Sequence, residues 1–403
     1  MRVISQKELF PKDIERFLKT FRKGVNLNNQ ERITLDFEIE KKTKSQKLSP
    51  IIKVAQPEDA HAFVDISINV YEGTYPFKEM EDEDSVREMI LSEDHHLLLF
   101  KDNLDNNIGC FKCILDFKKK RGYMGGFMIK KEYQSNVDIV KAIIGSYVWM
   151  WSTFKDRIAL WYCENRTAHA TAQYITSVCG IKTVGFLPNK DIFFKEVESE
   201  VFGVIYNKKT LSKLKCKEYP KLIPEINNCF VYANNKYNLG PVEFIIPSFN
   251  LNPYKLAYLK KRIIKNIEKD KIGYETITFS FKSSNSYFKF VYTPWLQNFE
   301  KTEYKVNDKE ELIVFLHDFK KLTNELNIRY VEVLVSSFNP TDQRVFHDAG
   351  FIPRGYVPCW NYNKELNCYE DYIVFNKFNG EIKNLILLPE GLELLEILEL
   401  EIP

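Results

Sequence analysis

From Ile51 onward the apolar positions fall into a regular succession of short alternating runs and helical stripes. IIKVA reads as a strand, and a helix begins near PEDAHAFVDISINVY. A loop, EGTYPFKEMEDED, leads into a second helix at SVREMILS. HHLLLFKD and IGCFKCILDF flank NLDNN, which signals a hairpin, and GYMGGFMI is the next strand. The following helix carries Ile139, Ile143, Ile144, Tyr147 and Val148 at helical spacing. RIALWYCE is a strand, TAHATAQYITSVCG a helix closed by glycine, and KTVGFLPNKDIFFKEV the last strand pair. The predicted order is β-α-α-β-β-β-α-β-α-β-β, ending near residue 206.

On either side the pattern is looser. Residues 6–22 read as helical, and 31–50 as a charged arm ending in KKTKSQKLSP. A Lys-rich stretch over 207–239 reads as a helical linker. A second series follows: PVEFIIP, a helix over PYKLAYLKKRIIKNIEK, the hairpin YETITFSFKSSNSYFKFVY and a helix at DKEELIVFLHDFKKLTNEL. YVEVLVS, TDQRVFHDAG, FIPRGYVPCW and DYIVFNKF continue as strand, helix and two strands. GIKTVGFLP from Gly180 and GFIPRGYVP from Gly350 share two glycines and a proline in register, 170 residues apart, which marks an internal repeat. The expected organisation is an N-terminal helix and arm over 1–50, a first domain over 51–206 and a linker over 207–239. A second domain covers 240–378, and an acidic, leucine-rich tail over 379–403 packs onto the body.

Composition narrows the function classes. With 57 Lys plus Arg against 55 Asp plus Glu, no net field favours nucleic acid or an acidic membrane. The 403 residues are enough for two domains, and no apolar run reaches membrane-spanning length, so a cytoplasmic protein is the expectation. Of the eight cysteines, Cys110 and Cys113 form a CxxC inside an alternating strand. An offset of three puts them on opposite faces, where they cannot share a metal. Cys163 and Cys179 read as buried thiols, and the expected metal content is none.

The element order, the strand–turn–helix FMIKKEYQSNVDIVKAII and the later helix–glycine–strand resemble the GNAT acyltransferase fold, with the second series a weaker copy. The resemblance implies an α/β (α+β) fold of two GNAT-like domains, each a mixed, mostly antiparallel central sheet flanked by helices. It also implies acetyl-CoA or another acyl-CoA as substrate. In that family a splayed central strand holds the donor's pantetheine arm and the next turn, Q/R-x-x-G-x-G/A, its pyrophosphate. Carried over, this places cofactor contacts at Phe127, Met128, Ile129, Gln134, Ser135, Asn136 and Val137, and at Asn165 across the cleft. Two departures stand out. Val137 and Ile139 occupy the glycine positions, and Ser135-x-x-Asp138 fits a helix capping box whose carboxylate sits where a phosphate would. The tyrosine that often protonates the thiolate is Thr176 in the first copy and Phe346 in the second.

Three features favour an enzyme. Gly125 and Gly126 interrupt the central strand, where a bulge or a close ligand approach is permitted. The basic turn KKKR, Lys118 to Arg121, borders the same cleft. ENRTAH supplies Glu164 and His169 as candidate bases for an amine acceptor, with Glu72 in the covering loop as a third. The expected activity is transfer of an acyl group from acyl-CoA to a small-molecule or peptide amine. The alternatives are a catalytically silent GNAT-like scaffold or ligand sensor and, against the near-neutral charge, tRNA-dependent aminoacyl transfer.

Overall fold

A computed structural model describes residues 2–40, 47–282 and 284–400. The KKTKSQ part of the expected charged arm lies outside the described residues. The first half supplies seven strands of the main sheet: β1 (Ile51–Val54), β2 (His95–Lys101), β3 (Asn107–Asp116), β4 (Arg121–Ile129), β5 (Leu160–Arg166), β6 (Lys182–Phe193) and β7 (Glu196–Tyr206). The second supplies β8 (Ile263–Lys269), β9 (Glu275–Phe281), β10 (Tyr287–Thr293), β11 (Asn298–Lys305), β12 (Tyr330–Ser336), β13 (Ile352–Asn363) and β14 (Cys368–Phe378).

All fourteen run edge to edge in the order β8-β9-β10-β11-β12-β14-β13-β6-β7-β5-β4-β3-β2-β1. The first half therefore reads β1-β2-β3-β4-β5-β7-β6, and the second repeats that order as β8-β9-β10-β11-β12-β14-β13. Pairing is antiparallel except at β4 with β5 and β11 with β12, one parallel pair per half. The fold class is the expected mixed, mostly antiparallel sheet flanked by helices. The two expected sheets merge into one, meeting at the single rung Gly185↔Gly355. These are the second glycines of the sequence repeat.

Eleven α-helices flank this sheet among the described residues. They are α1 (Ile14–Phe21), α2 (Ala60–Tyr71), α3 (Glu83–Leu91), α4 (Ile139–Phe154), α5 (Thr171–Val178), α6 (Lys208–Lys213), α7 (Asn227–Tyr237), α8 (Pro253–Lys260), α9 (Lys309–Glu325), α10 (Pro340–Asp348) and α11 (Pro389–Ile397). None is long and apolar enough to cross a membrane. Helix α4 is buried on nearly every side, as an all-round apolar helix must be. Its outer face is covered by α1, where Phe17 meets Trp151 edge-on at 4.5 Å. The N-terminal segment is thus a cover as well as an arm: Thr34–Leu35 and Phe37–Ile39 are short strands, and Phe37 is fully buried.

Cys110 and Cys113 do lie in separate cores on the two faces of β3. The helix expected over residues 253–269 stops at Lys260. Beyond it, Ile263, Ile264 and Ile267 favour a strand, and Ile267 pairs opposite Ile277 of β9. The tail returns to the first half as expected: α11 buries Leu394 and Leu395, and the Ile386 N–H bonds the Thr167 carbonyl at 2.7 Å.

Candidate functional site

Strands β4 and β5 are hydrogen-bonded neighbours only at Arg121↔Leu160, Gly122↔Trp161 and Tyr123↔Tyr162. From Met124 they part. The cause is a bulge in β4: Gly126 and Phe127 together oppose the single residue Phe111, and Gly126 takes a left-handed φ of 61°. Such a bulge sharpens the local twist and turns the strand away from its neighbour. The second half has the same device in β11, with Lys301 at φ 52°, but there parallel pairing resumes at Thr302↔Val333. Beyond Thr302↔Val333 no further pair joins β11 and β12 among the described residues.

On the α2–α3 face of the opening lies a cavity of about 970 Å³ lined by both halves of the chain. Its roof is the loop after α2. The Tyr274 hydroxyl donates to Glu79 Oε2 at 2.7 Å, and Trp295 Nε1 donates to the Pro76 carbonyl at 2.7 Å. Second-half side chains thereby fasten the loop of the first half.

The cavity floor is charged. Lys190 of β6, 2% exposed, donates to Glu164 of β5 at 2.7 Å and lies 3.3 Å from Glu332 of β12. Glu332 also accepts the Tyr330 hydroxyl at 2.8 Å. Glu300 of β11 joins them, held by the Asn298 amide. Two carboxylates, one from each half, thus share one buried ammonium, and the charge of Glu300 acts on it as well.

Burial pushes the Glu164 carboxyl above its ordinary range despite Lys190, and burial does the same to Glu300. Burial alone would lower Lys190, but Glu164, Glu332 and Glu300 outweigh it and hold its pKa well up. Behind them, burial raises Asp191 and Glu200 well above the carboxylate range. Neither oxygen of Asp191 has a hydrogen-bond partner. Unpaired buried carboxyls resist ionisation because desolvation penalises the charged form. Tyr123 and Tyr162 stand on the last paired rung with rings 5.2 Å apart, and burial lifts the Tyr162 phenol to about 12.

Of the residues singled out in the sequence, Glu164, Gly126 and Lys118, Lys119 and Arg121 of the basic turn line the cavity. His169 is exposed just before α5; partial burial and then the Arg166 charge hold its imidazole below the usual histidine range. Glu72 is an exposed left-handed cap of α2, paired with Lys131, whose ammonium after its hydrogen bond holds the carboxyl low. Neither touches the cavity.

The expected cofactor residues are placed against the assignment. Asn165 points to the opposite face of β5, is buried, and donates to the Thr176 hydroxyl at 3.0 Å. Met128 and Ile129 are buried in the cores on either side of the sheet, and Phe127 packs against Phe100. Gln134 spends its amide on the Ile129 carbonyl at 3.1 Å, and Ser135 bonds Asn136. Val137 is fully buried. Leu48 lies across the turn as a bridge partner, donating to the Asn136 carbonyl and accepting from the Asp138 N–H, each at 2.8 Å. Asp138 is itself the N-cap of α4, accepting from the Lys141 N–H at 3.2 Å, where the sequence suggested a Ser135 cap answered by Asp138. A pyrophosphate does not fit this turn: Val137 fills it, Leu48 covers it and the Asp138 carboxylate repels it. The equivalent turn of the second half is capped the same way, by Asp308 accepting from Glu311 N–H.

Lys190, Glu300 and Glu332 escaped sequence reading. Their one visible signal is the polar triplet Asn189-Lys190-Asp191 inside an apolar strand. Among the described residues no group of three or more His, Cys, Asp or Glu side chains is arranged to hold a metal ion.

No family model matches the chain, and no curated protein matches it. Solved structures similar to it include a dodecameric spermidine N-acetyltransferase from Vibrio cholerae, 16% identical, covering 40% of this chain and 96% of that one with a TM-score of 0.34. A ribosomal-protein-S5-alanine acetyltransferase from Vibrio fischeri is 12% identical, with coverages of 40% and 93% and a TM-score of 0.34. At this likeness no activity passes from those proteins to this chain.

Proposed function

We propose that the chain is a tandem GNAT-like N-acyltransferase that moves an acyl group from a thioester, acetyl-CoA or another acyl-CoA, to an amine held in the shared cavity. The repeated strand order supports the tandem reading. The observation that carries the reaction is the parting of β4 from β5 directly beside the cavity, which leaves room for a thioester arm to reach an amine. In the proposed step the amine nitrogen bonds the thioester carbonyl carbon and the C–S bond breaks. Glu164, a half-buried carboxylate with its pKa raised by desolvation, takes the ammonium proton, and a phenol of the Tyr123–Tyr162 pair supplies the proton for the thiolate. The donor's diphosphate has no seat on the covered turn and remains outside the splay. Thiol release with acetyl-CoA or acetyl-pantetheine across an amine panel tests the reading. Loss of the signal in Glu164→Gln is the expected result, and no release from the folded protein with either donor overturns it.

The Leu48 bridge and the buried Val137 favour a second reading, a catalytically silent module that binds an amine in the same cavity. Amine binding without thiol release would establish it.

A further inference from the structure

The cavity has two electrostatic ends, and the proposed function uses only one of them. At its closed end Glu164, Glu300 and Glu332 outnumber Lys190 three to one. A fourth carboxyl, Asp191, 1% exposed and with neither oxygen hydrogen-bonded, faces Glu300, Lys190 and Glu164 from behind, and the Arg329 guanidinium acts on Asp191 and Glu300, so four carboxyls stand against two cations. A buried carboxylate lacking a donor is costly, so this end accepts a cation or takes up protons. At the open end the exposed Lys118, from the basic turn between β3 and β4, and the exposed Lys305, at the end of β11, line the mouth with no ion-pair partner among the described residues. Neighbouring Lys119 is already engaged by Glu303 at 2.7 Å. Lys305 lies five residues beyond Glu300 on one strand, roughly 15 Å at the rise of a β-strand. The reach of the two side chains shortens the gap a ligand must span.

We propose that this cavity is a binding site for a zwitterionic amine, with its ammonium group among Glu164, Glu300 and Glu332 and its carboxylate or phosphate at Lys118 and Lys305. The proposal deepens the acyltransferase reading by naming the acceptor's class and rests on it for the reaction, though not for binding. It makes the second half a contributor of ligand contacts. A simple diamine gains at the floor and is repelled at the mouth; a simple acid meets the reverse. Only a molecule with both charges, several bonds apart, is favoured at both ends.

Donor-free calorimetry on the full chain tests this with a matched series: hexylamine, hexanoate, 1,6-diaminohexane, 6-aminohexanoate and 6-aminohexyl phosphate. The expected result is that the two zwitterions bind at least about tenfold tighter than hexylamine or the diamine, the better of the two telling carboxylate from phosphate. Lys118→Gln with Lys305→Gln should remove that advantage and leave hexylamine unchanged. Glu332→Gln should weaken all the amines about tenfold. Should that buried change prevent folding, the surface lysine pair and the ligand series decide alone. Equal affinity for hexylamine and 6-aminohexanoate, tighter binding of the diamine, or no heat from any compound at millimolar concentration overturns the proposal. Because no acyl donor is present, a failed transfer assay does not affect this outcome.

Discussion

Gly355 faces Gly185 across the one rung that joins the two halves of the sheet among the described residues, so closely that a Cβ on Gly355 would stand 2.6 Å from the Gly185 Cα and 2.6 Å from the Val184 carbonyl oxygen. A Cβ on Gly185 would meet nothing nearer than 3.5 Å. The two repeat glycines are therefore not equivalent. Gly355→Ala is expected to cost about 1–3 kcal/mol through backbone overpacking, and Gly185→Ala less than about 1 kcal/mol. Urea unfolding of the two variants checks the asymmetry.

Lys190→Met removes the one ammonium shared by Glu164 and Glu332. Breaking a buried pair from one side costs about 3–5 kcal/mol at neutral pH. The loss is pH-dependent. A carboxyl whose folded pKa is raised stabilises the fold below its unfolded pKa and loses that contribution as pH rises through the folded value. Unfolding free energies of the variant should therefore approach wild type near pH 4 and fall away above it, read from urea midpoints across that window.

Binding of an amine should release protons. Burial raises the Glu164 and Glu300 carboxyls above their ordinary range, and an arriving ammonium favours their charged forms. Titrations in two buffers of different ionisation enthalpy should give different apparent heats, with the sign of net proton release. Identical heats would show that these carboxyls are already ionised.

Because the turn before α4 is closed, acetyl-pantetheine should serve nearly as well as acetyl-CoA, with kcat/KM values within a few-fold. Val137→Gly combined with Asp138→Gly should not improve the use of acetyl-CoA while Leu48 remains in place, and it should destabilise the fold by about 2 kcal/mol or more through the lost core side chain. A donor preference for acetyl-CoA of a hundredfold or more would mean the diphosphate has a seat elsewhere.

Asn165→Ala should lower stability by about 1–2 kcal/mol, since it leaves Thr176 short of a partner in a buried site. KM for either donor should not move. That separates a structural asparagine from the cofactor contact suggested by its sequence position.

The order of strands and helices was readable because hydrophobic period reports local structure directly, and the repeated Gly-x4-Gly spacing pointed to the doubled architecture. Glu164 was readable as a polar residue ending an apolar strand. Lys190, Glu300 and Glu332 were not, since their meeting depends on the two half-sheets lying side by side, a long-range relation with no local signature. The covered turn was half readable. Val137 and Asp138 announced the lost phosphate seat, but only the path of the chain through Leu48 shows what replaced it. Asn165 was misread because the strand's alternation places it one face away from Glu164.

The continuous sheet has a practical consequence for anyone dissecting the protein. Leu187 and Phe202 of the first half share one apolar cluster with Val357, Trp360 and Val374 of the second. A fragment ending near residue 206 would bare that cluster and the unprotected border of β6, an invitation to aggregate. The two repeats look like modules, yet neither should survive expression without the other.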